Sequence, residues 1–257
     1  MIPLIDTHVH FDDDRFDQDR DAIYNNAQAA SVTTMIIPAT TKERWQKIFD
    51  LSKKYDNVYP TAGLHPVFID QHIDSHLTDL KNILAEGHCK AIGECGLDGF
   101  HKDLDYERQK YFFTEQLSLA AEIELPLIIH ARSAVQDVIQ LIKSARNTRG
   151  VIHSYNGSLE QATQLLDLGY LLSFGGAVTY DRATRLRKLL KEIPMQSLMV
   201  ETDAPDQPTS QHKGERNEPA HLVDVVTTIA EIKGTTSAEI AQQSNANASR
   251  LFSIPTS

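Results

Sequence analysis

Apolar residues follow two rhythms that alternate along this chain. Short runs rich in β-branched and aromatic side chains recur at 4–10, 34–38, 58–63, 91–94, 126–130, 150–153, 170–174 and 198–203. Runs of this length bounded by polar residues read as buried strands. Between them, apolar residues at helical spacing span about 17–30, 42–55, 74–86, 105–124, 134–146, 159–168, 181–192 and 219–233, with a last helix at 237–250. Four helix starts place a hydroxyl three residues before Glu or Gln: Thr40 with Glu43, Ser133 with Gln136, Ser158 with Gln161, and Thr236 with Glu239. Each such pair predicts a capping box. Pro219 suits the first turn of its helix, where a missing N–H costs nothing. Eight β/α alternations without a composition break predict an α/β protein built as one (β/α)8 TIM barrel over residues 1–257, rather than an open doubly wound sheet. The longest irregular stretch, Ala204 to Glu218, follows the eighth strand. Loops of that length tend to be functional.

The apolar runs end on metal-type side chains. His8 and His10 close the first, and Glu94, His130, His153 and Asp203 close four others. If the strands are parallel members of one barrel, those ends meet on the rim where such barrels carry their chemistry. Side chains alternate along a strand, so His8 and His10 share a side. An H-x-H pair alone equally describes hydrogen-bonded histidines in a polar strand, and a lone His130 or His153 describes a satisfied core residue. Four imidazoles with two carboxylates are another matter. They are too many for one tetrahedral zinc and suit two divalent ions sharing a carboxylate, the arrangement used for in-line displacement at phosphorus. Mg, Mn and Zn all fit such a donor set. Glu201 shares parity with Asp203 and is expected one layer deeper, either orienting a ligand histidine through its free N–H or making a structural ion pair; Asp6 shares parity with His8 and invites the same reading. Asp98 and Asn217 are expected to anchor loops. Gly175-Gly176 leaves backbone room for a phosphate or makes a tight turn.

Composition narrows the partners. The chain has 257 residues, 41% hydrophobic and 23% charged, as in ordinary globular proteins. Two cysteines, Cys89 and Cys95, make no disulfide framework and point to a reducing compartment. No apolar run approaches the ~18 residues of a membrane span, and the N-terminus enters a strand with no basic signal region. A cytoplasmic protein is expected, with no protein partner implied and a monomer as the default. The formal charge of −10 excludes a broad-footprint duplex binder. It leaves room for an enzyme that grips a strand end through metals and a few cations, the candidates being Arg132, Lys213 and Arg216.

Motifs in order along the chain sharpen this picture. His8-Val9-His10 resembles the opening of amidohydrolase-superfamily barrels. Gly63-Leu64-His65-Pro66, Gly93-Glu94-Cys95-Gly96-Leu97-Asp98, Glu201-Thr202-Asp203-Ala204-Pro205 and Arg216-Asn217-Glu218-Pro219 resemble the TatD family of metal-dependent deoxyribonucleases. The resemblance runs from residue 4 to about residue 252. It implies DNA as substrate, cleaved as a single strand or from a 3′ end. It also implies Glu94 as the bridging ligand, His8, His10 and Asp203 completing one metal, and His130 and His153 the other. Two ions would activate water for attack on a phosphodiester, with Asp203 as general base. His65 is either a phosphate or leaving-group contact or the stabiliser of its own Gly-x-His-Pro turn. Two departures stand out. Gly99 occupies the place of a bulky, usually aromatic residue, with Phe100 one position later, and Tyr155 stands where phenylalanine is common. A superfamily hydrolase of a small amide, ester or lactone is the alternative, since it would use the same metal-activated water.

Overall fold

Strands and helices alternate as the apolar rhythm requires. The computed structural model describes residues 2–145 and 147–255. Among them the order is β1 (Leu4–Asp6), α1 (Arg20–Ala29), β2 (Val32–Ile37), α2 (Lys42–Lys54), β3 (Val58–Pro60), α3 (Ser75–Ala85), β4 (Ile92–Asp98), α4 (Tyr106–Ile123), β5 (Leu127–Arg132), α5 (Val135–Ser144), β6 (Gly150–Ile152), α6 (Leu159–Asp167), β7 (Leu171–Phe174), α7 (Thr184–Glu192), β8 (Leu198–Val200), α8 (Leu222–Lys233) and α9 (Ser237–Phe252). The chain packs as two compact units. One comprises Met1–Ile37, Tyr55–Val58 and Leu172–Ser257, the other Pro38–Lys54 and Tyr59–Leu171.

In the first unit β1 pairs in parallel with β2, Leu4 opposite Val32 and Asp6 opposite Met35. β7 pairs in parallel with β8, Leu172 opposite Leu198 and Phe174 opposite Val200. Beyond its ladder the β1 segment runs beside the β8 segment: Thr7 N donates to Val200 O (3.3 Å), Asp203 N to His8 O (2.9 Å) and His10 N to Ala204 O (2.8 Å). The last strand therefore lies beside the first, as closure of a sheet on itself demands. α9 secures this seam with buried polar side chains. Asn245 Nδ2 donates to Pro3 O (2.6 Å), and its Oδ1 accepts from Ile5 N (3.1 Å). Asn247 Nδ2 donates to Leu198 O, and Ser244 Oγ accepts from Val200 N. Buried backbone groups at strand ends need partners, and these side chains supply them.

In the second unit β4 pairs in parallel with β5, and β5 with β6, while Ala62 just past β3 bridges Ile92 of β4. Ile92, Leu97, Ile128, Ile129 and Val151 from the strands are buried, as are Phe112 and Phe113 of α4 and Val138 and Ile139 of α5.

Element boundaries differ from expectation where chemistry intervenes. β4 runs on to Asp98 and β5 to Arg132, whereas the ladders of β1 and β8 stop at Asp6 and Val200. His8, His10 and Asp203 thus sit just past the ends of their ladders. The Ser158 and Thr236 capping boxes form. The Ser133 box does not: Ser133 has φ 53 and Ala134 takes the cap position without a side-chain bond. The extra length of β5 uses Ser133 for the chain reversal. The Thr40 box is displaced as well, because α2 starts at Lys42 and Glu43 bonds Thr41. Cys89 and Cys95 are free and buried, and burial pushes the Cys89 thiol up to about 12. No helix among the described residues is long and apolar enough to cross a membrane.

Candidate metal centre

The first unit brings His8, His10 and Asp203 together. His8 Nε2 and His10 Nε2 are 3.4 Å apart, and they lie 3.4 and 3.5 Å from Asp203 Oδ1. These distances are long for hydrogen bonds. They match the edge of a ligand tetrahedron, about 3.4 Å for metal bonds of about 2.0–2.1 Å. Asp203 has φ 56, a left-handed conformation that aspartate tolerates better than most residues, and its Oδ2 accepts from Gln207 Nε2. Asp6 is buried beneath this triad, but it does not orient an imidazole. Its carboxylate accepts from Thr202 N, Thr202 Oγ1 and His8 N, tying the β1 and β8 segments together at the level of the backbone. Burial pushes the Asp6 carboxyl up to about 8, with the Glu201 charge adding to the rise against those three donors. Glu201 is buried as well, its Cγ 3.3 Å from where a Cβ on Gly175 would stand.

The second unit gathers Glu94 from β4, His130 from β5, His153 just past β6 and His65 beyond β3. Glu94 Oε1 lies 3.1 Å from His130 Nδ1 and 2.9 Å from His153 Nε2, and the two nitrogens are 3.2 Å apart. Gly96 makes this approach possible: a Cβ there would come within 2.1 Å of His130 O. His130 Nε2 donates to Asp98 Oδ2 (2.9 Å), while Asp98 Oδ1 accepts from Phe100 N and His101 N. Burial disfavours a charged His130, but the bonds to Asp98 and Glu94 outweigh it and raise its pKa. Burial likewise opposes ionisation of Asp98, yet the His130 bond and the two backbone N–H donors hold it well below the usual carboxylate range. With its Nε2–H committed to Asp98, His130 presents Nδ1 to Glu94, the carboxylate–histidine–metal arrangement.

His65 is close enough to Glu94 and His130 to share an ion with them. Its hydrogen bonds assign it another role. Nδ1 accepts from Val67 N (3.1 Å), so Nε2 carries the proton and donates to Glu94 Oε1 (2.9 Å). His65 therefore both caps its own turn and steadies Glu94.

The three candidate cations fare differently. Arg216 is tied to the segment after β1 by both oxygens of Asp19 and by the carbonyl of Arg15, over the Phe16 ring, and also bonds Glu218. Lys213 is exposed. Arg132 is exposed too and stacks on Phe100. Asn217 Nδ2 donates to Thr202 O, Asp206 O and Gln207 O, which pins the loop after β8. Gly175-Gly176 offers no open cradle, because a Cβ on Gly176 would meet Gln207 O at 2.1 Å. Tyr155 uses its hydroxyl to bond Ser158 O at the start of α6. The hold of Asp98 on His130 goes beyond the loop anchor expected of it; its parity with Glu94 on β4 was the available signal. The contact of Gln207 with Asp203 left no trace in residue spacing.

A sequence profile of TatD-related DNases matches residues 5–253. The chain belongs to the TatD-related DNase family. Among its TatD-family relatives, the metal-dependent hydrolase YjjV of Escherichia coli K12 is 37% identical over 98% of each chain. The 3′-5′ ssDNA/RNA exonuclease TatD of Cronobacter sakazakii is 32% identical over 97% of each. The crystal structure of the E. coli YjjV TatD homologue superposes with a TM-score of 0.94 at 36% identity, covering 98% of both chains. This TatD-family chain has the (β/α)8 barrel fold and is a metal-dependent hydrolase.

Proposed function

We propose that the two donor triads act as one two-metal centre in a single barrel domain, with Glu94 as the bridging carboxylate, and that the enzyme hydrolyses DNA phosphodiester bonds from the 3′ end of a single strand. The observation that carries the proposal is the duplication of the donor set. His8, His10 and Asp203 present three ligand atoms at 3.4–3.5 Å spacing. Glu94, His130 and His153 present three more at 2.9–3.2 Å. DNA as substrate is supported by the family and by the Cronobacter relative named for single-strand exonuclease activity.

Divalent ions held there supply charge to polarise phosphoryl oxygens and to make water acidic near neutral pH. The chain's own residues do the rest. Asp203 takes up the proton of the attacking water, its carboxylate plane fixed by Gln207. Asp98 keeps His130 Nδ1 turned toward Glu94. His65 donates to Glu94 Oε1 and resists rotation of that carboxylate. One chain carries all six proposed ligands, so a monomer suffices.

The test is incubation of metal-reconstituted protein with 5′-labelled single-stranded DNA, beside a panel of amide, ester and lactone substrates. Mg, Mn and Zn are tried in turn. Stepwise shortening from the 3′ end is expected, slowed about 10²–10⁴-fold by Asp203→Ala. Absence of DNA cleavage with every metal, together with Asp203-dependent turnover of an acyl substrate, overturns the proposal.

A further inference from the structure

Phe100 and Arg132 form a stack that no structural need explains. Phe100 is 55% exposed, and the Arg132 guanidinium carbon lies 3.8 Å from the centre of its ring. A side chain so exposed adds little to the core. The local backbone is nevertheless built to hold it in place. Gly99 N donates to Arg132 O (2.8 Å), and a Cβ on Gly99 would stand 2.7 Å from Ser133 O. Only glycine lets the loop after β4 press this closely onto the end of β5. The aromatic residue is thereby shifted to position 100, where Asp98 Oδ1 caps its N–H at 2.9 Å.

Stacking occupies one face of the guanidinium and leaves its N–H edge pointing outward. Among the described residues, no side-chain hydrogen bond or ion pair takes that edge. Lys102, two residues beyond Phe100, is also exposed and unpaired among the described residues. Phe100 follows Asp98, the carboxylate that bonds His130, by two residues; Lys102 follows it by four, and Arg132 stands opposite it across the β4–β5 ladder. A flat group attached to an anion matches all three.

We propose that Phe100 and Arg132 form a nucleotide subsite, in which a base stacks on the aromatic–guanidinium pair while the Arg132 edge holds a phosphate. This rests on the single-strand nuclease function proposed above and deepens it. A base inside a duplex has no free face to offer, so the subsite selects unpaired strands.

Fluorescence anisotropy tests the subsite, using metal-reconstituted protein and two labelled, cleavage-resistant phosphorothioate probes: decathymidylate and an abasic strand of equal length. Phe100→Leu is expected to weaken decathymidylate binding by about fivefold or more while leaving abasic binding within about twofold. Phe100→Tyr restores the affinity, and Arg132→Ala weakens both probes. Decathymidylate binding unchanged by Phe100→Leu, in a protein that cleaves ordinary single strands, overturns the subsite alone. Phe100-dependent binding without cleavage supports the subsite and overturns the nuclease function. A protein that neither binds nor cleaves overturns both.

Discussion

Asp98 divides its two oxygens between an imidazole and a loop. One oxygen fixes the ring of His130, and the other gathers the N–H groups of Phe100 and His101. Replacing Asp98 by Asn turns an acceptor toward His130 into a group that can present N–H instead. Metal affinity is expected to fall about 10–100-fold, read by titration with Mn or Zn; wild-type affinity would contradict the orienting role. The same pair sets a pH dependence for the metal-free protein. His130 has a folded pKa raised above 6.5, so its contribution to stability is complete below that value and is lost as pH rises through the raised pKa. Asp6, raised from 3.8 to about 8 by burial, acts in the same direction. Asp98 is lowered from 3.8, so its contribution is present above 3.8 and is lost on further acidification. Chelated protein should therefore be most stable near about pH 4 and lose stability as pH rises, first through Asp6 and above 6.5 through His130 as well, while metal affinity should climb with pH as ions displace protons. Melting temperatures from pH 3 to 9 in EDTA check this, and a chelated protein that grows more stable from pH 6.5 to 8.5 would refute it. The six ligand candidates were legible in the sequence because each closes an apolar run. Asp6 was misjudged because its partners, Thr202 and the His8 backbone, are set by the pairing of β1 with β8, 196 positions apart for Asp6 and Thr202.

At the scale of elements, helix ends show what local pattern can and cannot settle. The Ser158 and Thr236 boxes depend on residues three apart and formed as read. The Ser133 box failed because β5 continues past His130, a fact set by pairing with β4 rather than by the residues around Ser133. Ser158→Ala and Thr236→Ala should each cost about 1 kcal/mol, while Ser133→Ala should stay within about 0.5 kcal/mol. Urea denaturation distinguishes the two classes, and an equal loss at Ser133 would restore it as a cap. α9 presents a harder case. Its residues Ser244, Asn245 and Asn247 are poor helix interior by propensity, and the periodicity predicted the helix without explaining them. Their partners are backbone groups of residues 3 and 5 and of the β8 segment. Asn245→Ala leaves the buried Ile5 N–H and the partly buried Pro3 carbonyl unsatisfied, and should cost about 2 kcal/mol. A smaller loss by the same denaturation measurement would show that water replaces the amide.

For the molecule as a whole, metal and fold are expected to be coupled. Ligand atoms drawn together without an ion repel or hold protons, so loading both triads should raise stability by about 2.7 kcal/mol per site at a hundredfold excess over the dissociation constant. Calorimetry with and without EDTA, beside elemental analysis, measures this; fewer than one ion bound in excess metal contradicts the proposed two-metal centre. The net charge of −10 sits beside cations of which some are committed to acids, Arg15 to Asp13 and Asp206 and Arg216 to Asp19. The fold class was legible because each strand and each helix announces itself locally. The division of labour between units was not, since the first unit is assembled from three separate stretches of chain. That discontinuity matters during synthesis. At about 5–20 residues per second, Asp203 leaves the ribosome roughly 10–40 s after His8. Throughout that interval the two imidazoles lack their carboxylate, and β1 lacks the strand and the α9 amides that will flank it. The second unit, nearly continuous in sequence, has no such wait. A newborn chain therefore carries a bare His-x-His pair for most of its synthesis, open to whichever imidazole-seeking ion it meets first.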